Sequence, residues 1–249
     1  MSSSGDLGGG SRLAPRLVVV CGPTAAGKSA LAMQVASALP MTVISADSRQ
    51  IYRHFDIGTA KPTPADRAAV PHEGLDLVEP TARYSAFSWA AVAGEAMATA
   101  VRSGRLPVVV GGAGFYIRAL VTPAPDTLCF DVRYLLVDPG PPLRGWIEHR
   151  VDAMWAVGWP DEVRRLIDQV PANAPAWQAS GYAAVREMVA GRLTAAAARE
   201  QVIIATRQYA KRQRTWFRHQ LPADRVIRLD PTDRAAATVA ERLMQEWYA

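Results

Sequence analysis

Apolar positions along the chain fall into short β-branched runs separated by longer stretches with helical spacing. Residues 16–21 read RLVVVC, an almost unbroken apolar run of buried-strand length, and residues 41–45, 106–110 and 132–137 repeat that pattern. The Ala-, Leu- and Met-rich segment 28–39 predicts a helix after the first strand. Residues 85–103 predict another, with Ser88 as candidate N-cap and Gly104 as stop, and a third is expected from Gly114. Residues 142–157, 160–169, 176–190 and 194 to about 217 read as helices, followed by a short strand at 225–229 and a last helix at 235–247. Residues 56–81 contain Pro62, Pro64, Pro71 and Pro80 without sustained periodicity, which predicts a long functional loop with at most short helical pieces. Strands alternating with helices predict an α/β fold: a parallel sheet with helices on both faces and a helix-rich C-terminal part. The Ser/Gly-rich residues 1–13 are expected to be a disordered tail, leaving 14–249 as a single domain.

Composition narrows the class. Hydrophobic residues make up 49% and charged residues 20% of the 249, as in ordinary globular proteins. No apolar run approaches the roughly 18 residues of a membrane span, and the first residues lack the apolar core of a signal peptide. A cytoplasmic location is the expectation. Cys21 and Cys129 are the only cysteines, too few for a disulfide framework or a cysteine zinc site. The net charge of +5 is concentrated: Arg207, Lys211, Arg212, Arg214 and Arg218 fall within residues 206–219, where no acid occurs. Such a segment points to a nucleic-acid partner.

Gly22-Pro23-Thr24-Ala25-Ala26-Gly27-Lys28-Ser29 matches GxxxxGK[ST] between a buried strand and a helix, the context this phosphate-cradling loop requires. Small residues let backbone N–H groups converge on phosphate oxygens, Lys28 reaches a terminal phosphate, and the Ser29 hydroxyl can help to hold Mg²⁺. The loop specifies a diphosphate or triphosphate, not its fate. Two carboxylates compete for the next role. Asp138 ends an apolar strand, as a kinase would have it; Asp47 follows the second strand on the loop's own sheet edge and could act as a general base.

Eight segments in order resemble the tRNA dimethylallyltransferases. They are GPTAAGKS from Gly22, SADSRQIYR from Ser45, DIGTAKP from Asp56, PHEGLDLVEP from Pro71, YSAFSW from Tyr84, GGAGFYIRAL from Gly111, SGYAAVRE from Ser180 and TRQYAKRQRTWFR from Thr206. The resemblance implies a P-loop NTPase-like fold and transfer of a dimethylallyl group from dimethylallyl diphosphate to the exocyclic amine of an adenosine next to the tRNA anticodon, with Mg²⁺ present. It implies Asp47 and Thr24 as catalytic residues. Residues 22–29 and Arg207 would hold the diphosphate. Asp47, Ser48, Arg49, Gln50, Lys211, Arg214 and Arg218 would meet the tRNA, the last three sharing one face of a helix with Arg207. A monomer is expected. The alternatives are an isopentenyltransferase acting on free adenine nucleotides and a non-catalytic nucleotide- or RNA-binding remnant.

The chain departs from the family pattern in two places. Ala113 stands where the family usually has Thr, and after about residue 121 a short Pro-rich connection replaces the family's helical, tRNA-gripping insertion. His72 reads as a loop or packing residue. Trp146, Trp155, Trp159 and Trp177 read as core, and Glu148, Asp152, Asp161 and Glu162 as a solvated helix face.

Overall fold

The computed structural model describes residues 14–122 and 130–249, so the expected N-terminal tail and most of the Pro-rich connection lie outside the described residues. In chain order the elements are β1 (Arg16–Cys21), α1 (Lys28–Ala36), β2 (Met41–Ala46), α2 (Pro64–Ala69), β3 (His72–Glu73), α3 (Ala86–Arg102), β4 (Leu106–Gly111) and α4 (Gly114–Val121). There follow β5 (Asp131–Val137), α5 (Leu143–Ala156), α6 (Trp159–Gln169), α7 (Tyr182–Val189), α8 (Ala195–Gln220), β6 (Val226–Leu229) and α9 (Ala236–Tyr248).

The described strands form one parallel sheet in the order β3-β2-β4-β1-β5-β6. β1 lies between β4 and β5, with Val20 opposite Val110 on one side and Leu135 on the other. Both faces are covered, which is why the central strands are continuously apolar rather than alternating. α1 and α9 pack together over β1, whereas α3 and α4 pack together with α3 over β2 and β4. Trp89 of α3 stacks on Tyr116 of α4 with ring centroids 4.9 Å apart, and its indole donates to Ser45 O at 3.0 Å. The carboxyl ends of β2 and β4 and the loop after β1 open on one edge, where Arg150 of α5 and Gln213 of α8 join them around a cavity.

Three local expectations need correction. Ser85, not Ser88, caps α3: its hydroxyl accepts from Ser88 N at 2.9 Å. The helix expected at 176–190 is split into a 3-10 turn, Pro175–Gln178, and α7, because Gly181 adopts φ 90° and breaks the helical path. α1 ends at Ala36 rather than Leu39, where Ser37 N and Ala38 N turn to i−3 carbonyls. In the long loop, α2 and the two-residue β3 are the short pieces found among the described residues.

Candidate active site

The loop from Gly22 to Gly27 turns the chain from β1 into α1. Gly27 sits at φ 85°, a left-handed position at which a side chain would be strained. The side chains of Thr24 to Ser29 line a cavity of about 320 Å³ together with Asp47, Gln50, Gly111, Gly112, Arg150 and Gln213. Lys28 Nζ donates to Pro23 O at 2.7 Å, folding the ammonium back over the loop. Burial, and then the neighbouring Arg150 charge, push the Lys28 pKa down to about 8, with Asp47 pulling the other way.

Asp47 leaves the end of β2 and its Oδ1 accepts from Arg49 N at 2.8 Å. This Asx-type turn fixes the carboxylate through one of its two oxygens. Asp47 also lines a second cavity of about 410 Å³ between the 56–59 loop, α5, α7 and α8. Thr24, Asp47 and Arg150 are the residues that the two cavities share. The second has an apolar side of Ile147, Val151, Met154 and Trp159, and polar positions at Ser180, Thr206, Arg49 and Arg212.

Arg150, on α5, was not singled out by the sequence. Its Nη1 donates to Thr24 Oγ1 at 3.1 Å, and burial lowers its pKa below the ordinary arginine value. Gln213 was missed as well. It accepts from Thr24 N at 2.7 Å and donates to Gly112 O at 2.9 Å, tying α8 to the phosphate loop and to the end of β4. Nothing in the spacing distinguishes either residue from a surface side chain of the same helix.

The basic face of α8 is only partly free. Arg214 Nε donates to Asp138 Oδ2 at 2.8 Å, and its Nη2 also reaches Gly140 O. That pairing takes up Asp138, the other carboxylate considered for the phosphate loop. Arg207 pairs with Glu148. Lys211 and Arg218 are exposed and absent from the linings of both cavities, whereas Arg212, on another face, lines the second. Ser48 is half-buried beside Asp47, and Arg49 lines the second cavity. The Gln50 amide is engaged within the protein: it accepts from Ser45 Oγ at 2.8 Å and donates to Thr59 O at 3.1 Å and Ala60 O at 3.0 Å. His72 lines the first cavity and its Nδ1 meets Val70 O at 2.7 Å.

The acidic face expected on α5 and α6 divides in two. Asp152 pairs with Arg199 at the surface, but Glu162 is only 3% exposed. Four donors draw it inward: the backbone N–H groups of Asp56, Ile57 and Gly58 and the hydroxyl of Tyr182. Trp159 and Trp177 are core residues as expected, and both also line the second cavity.

A family model described as IPP transferase matches residues 50–133 and 123–220, and one described as isopentenyl transferase matches residues 15–71. The tRNA dimethylallyltransferase of Deinococcus radiodurans is 33% identical over 282 residues, covering 85% of this chain and 92% of that protein. The chain belongs to the tRNA dimethylallyltransferase family. The alignment with this family member is longer than the 249-residue chain, so the relative carries residues that have no counterpart here. The tRNA dimethylallyltransferase of Acidothermus cellulolyticus is 33% identical over 317 residues, covering 99% of this chain and 98% of that one. A solved tRNA delta(2)-isopentenylpyrophosphate transferase from Staphylococcus epidermidis shares the fold, with a TM-score of 0.82 at 24% identity over 93% of this chain and 98% of that chain. Among the described residues, no helix is long and apolar enough to cross a membrane.

Proposed function

We propose that the protein transfers a dimethylallyl group from dimethylallyl diphosphate to the exocyclic amine of an adenosine next to the tRNA anticodon. The observation that carries this reading is the sharing of Thr24, Asp47 and Arg150 by two cavities, one built on a phosphate loop and one built on apolar and base-sized surfaces. A hydrolase needs room for water at the phosphate; a transferase needs a second reactant delivered to the carbon end of the donor.

The diphosphate lies against the backbone of residues 22–29, with Lys28 and Arg150 opposing its charge. Arg207 pairs with Glu148 and lines neither cavity, so it reaches the diphosphate only when that pair opens. The second cavity takes the five-carbon chain and the base. The C1–O bond breaks with its electron pair leaving on the diphosphate, the N–C1 bond forms, and the amine proton passes to the Asp47 carboxylate. The adenine amine is a poor nucleophile because its lone pair is delocalised, so taking that proton as bonding develops lowers the barrier. Thr24, fixed by Gln213 and Arg150, holds the junction between the cavities.

Ser29 presents a hydroxyl to the first cavity, and among the described residues no cluster of three His, Cys, Asp or Glu gathers. One hydroxyl plus diphosphate oxygens and water is a donor set that suits Mg²⁺. When bound, the ion neutralises charge growing on the leaving diphosphate. An extruded adenosine needs grip elsewhere on the RNA, and Arg49, Arg212, Lys211 and Arg218 supply cations for its phosphates. We place the missing family insertion in the connection after Val121, and expect a single domain that works as a monomer in the cytoplasm.

Mass spectrometry of tRNA nucleosides after incubation with protein, Mg²⁺ and dimethylallyl diphosphate tests the function. A dimethylallyl-adenosine product is expected, formed more slowly as salt rises because phosphate contacts release counterions. Unmodified tRNA alongside prenylated AMP, ADP or ATP would replace this reading with the free-nucleotide one. Donor binding without any product would leave a remnant.

The depressed Lys28 pKa gives donor binding a pH dependence. The anion favours the ammonium form, so affinity for dimethylallyl diphosphate without tRNA is expected to fall as pH rises through about 8, by at most about tenfold per pH unit for one proton. Folding responds with the opposite sign. Between about 8 and 10.5 the unfolded chain holds a proton that the folded lysine has released, so this group adds stability as pH rises. Calorimetric titration at pH 7 to 9 reads the first effect; a flat profile would contradict it.

A further inference from the structure

We propose that Glu162 is a positioning residue that sets the acceptor side of the site by holding the backbone of residues 56–58. The proposal rests on the tRNA reading above. The loop that separates the cavities has two halves with separate clamps. Gly58 and Thr59 face the second cavity, and Ala60 faces the first. Glu162 Oε2 accepts from Asp56 N at 3.0 Å and Ile57 N at 2.7 Å, while Oε1 accepts from Tyr182 Oη at 2.6 Å and faces Gly58 N at 3.5 Å. The other half hangs on the Gln50 amide through Thr59 O and Ala60 O. Lys61 closes the loop on itself, with Nζ 2.7 Å from Asp56 and 2.6 Å from Asp76.

Consecutive N–H groups converging on one point form an anion-binding concavity. In a protein that handles diphosphate, this second concavity is filled by the protein's own carboxylate. Gly58 shows how closely the wall is set: a Cβ there would lie 2.2 Å from Trp159 Nε1. Tyr182, Trp159 and Trp177 surround the clamp and reach the second cavity directly or through one another. Moving residues 56–58 therefore moves the Gly58 end of the acceptor wall, while Gln50 keeps Thr59 and, on the donor side, Ala60 in place.

Glu162→Gln and Tyr182→Phe test this. A glutamine has one acceptor oxygen, so it cannot serve the Asp56/Ile57 pair and the Gly58/Tyr182 pair together. Each substrate is varied in transfer assays with tRNA, and inorganic diphosphate is titrated by calorimetry. The KM for tRNA is expected to rise about five- to tenfold in Glu162→Gln and about two- to threefold in Tyr182→Phe, the scale of a charge-assisted hydrogen bond. Both kcat and diphosphate affinity should stay within about twofold of wild type, since neither Glu162 nor Tyr182 contacts the donor half. Equal losses for tRNA and diphosphate, a loss confined to kcat, or no change at all would overturn the proposal. Should Glu162→Gln fail to fold, Tyr182→Phe carries the test by the same criteria, because it leaves the amide contacts in place. A wild-type protein that transfers nothing overturns the functional reading and this proposal with it. A wild type that transfers while the variants match it overturns this proposal alone.

Discussion

Replacing Asp47 with asparagine is expected to cut dimethylallyl transfer by about 10²–10⁴-fold, the range a positioned proton acceptor contributes, while diphosphate binding persists. The choice of asparagine separates two roles that one side chain combines. Asp47 Oδ1 accepts from Arg49 N at 2.8 Å, a turn-forming contact that an amide oxygen reproduces. An asparagine therefore keeps the path of residues 47–50 but loses the capacity to take a proton and the charge that helps to keep Lys28 protonated, so diphosphate binding is compared below about pH 8. If the carboxylate merely shapes the turn, the variant will turn over like wild type, and Asp47 leaves the mechanism. Asp47→Ala removes both roles and should be at least as slow. Nucleoside mass spectrometry of the tRNA, with calorimetric titration of diphosphate beside it, distinguishes a lost chemical step from a collapsed phosphate loop.

Local pattern carried the framework of the fold further than it carried the site. The central strands are buried on both faces, so their sequences are continuous β-branched runs, and the position of each strand followed from that alone. GPTAAGKS was legible for the same reason: its function resides in backbone geometry that only a restricted set of residues permits. The helix-rich half was less transparent. Glu162 sits in the first turn of α6 beside Asp161 and looks like a surface acid, since nothing local reveals that N–H groups more than a hundred residues earlier converge on it. The i, i+4, i+7 spacing of Arg207, Lys211 and Arg214 does place them on one helix face, yet two of the three turn to acids on other elements, Glu148 and Asp138. Helical spacing specifies direction around an axis. What lies in that direction is tertiary information.

Arg150 is the largest consequence of that gap, and its removal has a signature that tells electrostatics from packing. It lines both cavities, contacts Thr24, and stands near Lys28 strongly enough to depress its pKa. Arg150→Ala is expected to slow transfer by about 10²–10³-fold, comparable to loss of one preorganised donor at a developing anion. A packing defect that let water in would also slow the enzyme and raise the Lys28 pKa by relieving its burial, so Arg150→Met, which keeps the bulk and loses the charge, separates the two causes. With the neighbouring cation gone, one of the two influences lowering that pKa disappears, so the pH at which donor affinity begins to fall, expected near 8 in wild type, should move higher. Arg150→Lys keeps the charge but not the planar fork that meets Thr24, so it should retain the wild-type onset while transfer remains impaired. An alanine variant with both normal turnover and an unshifted onset would mean that Arg150 acts on neither Lys28 nor the diphosphate, and that the positive charge facing the diphosphate is supplied by Lys28 alone.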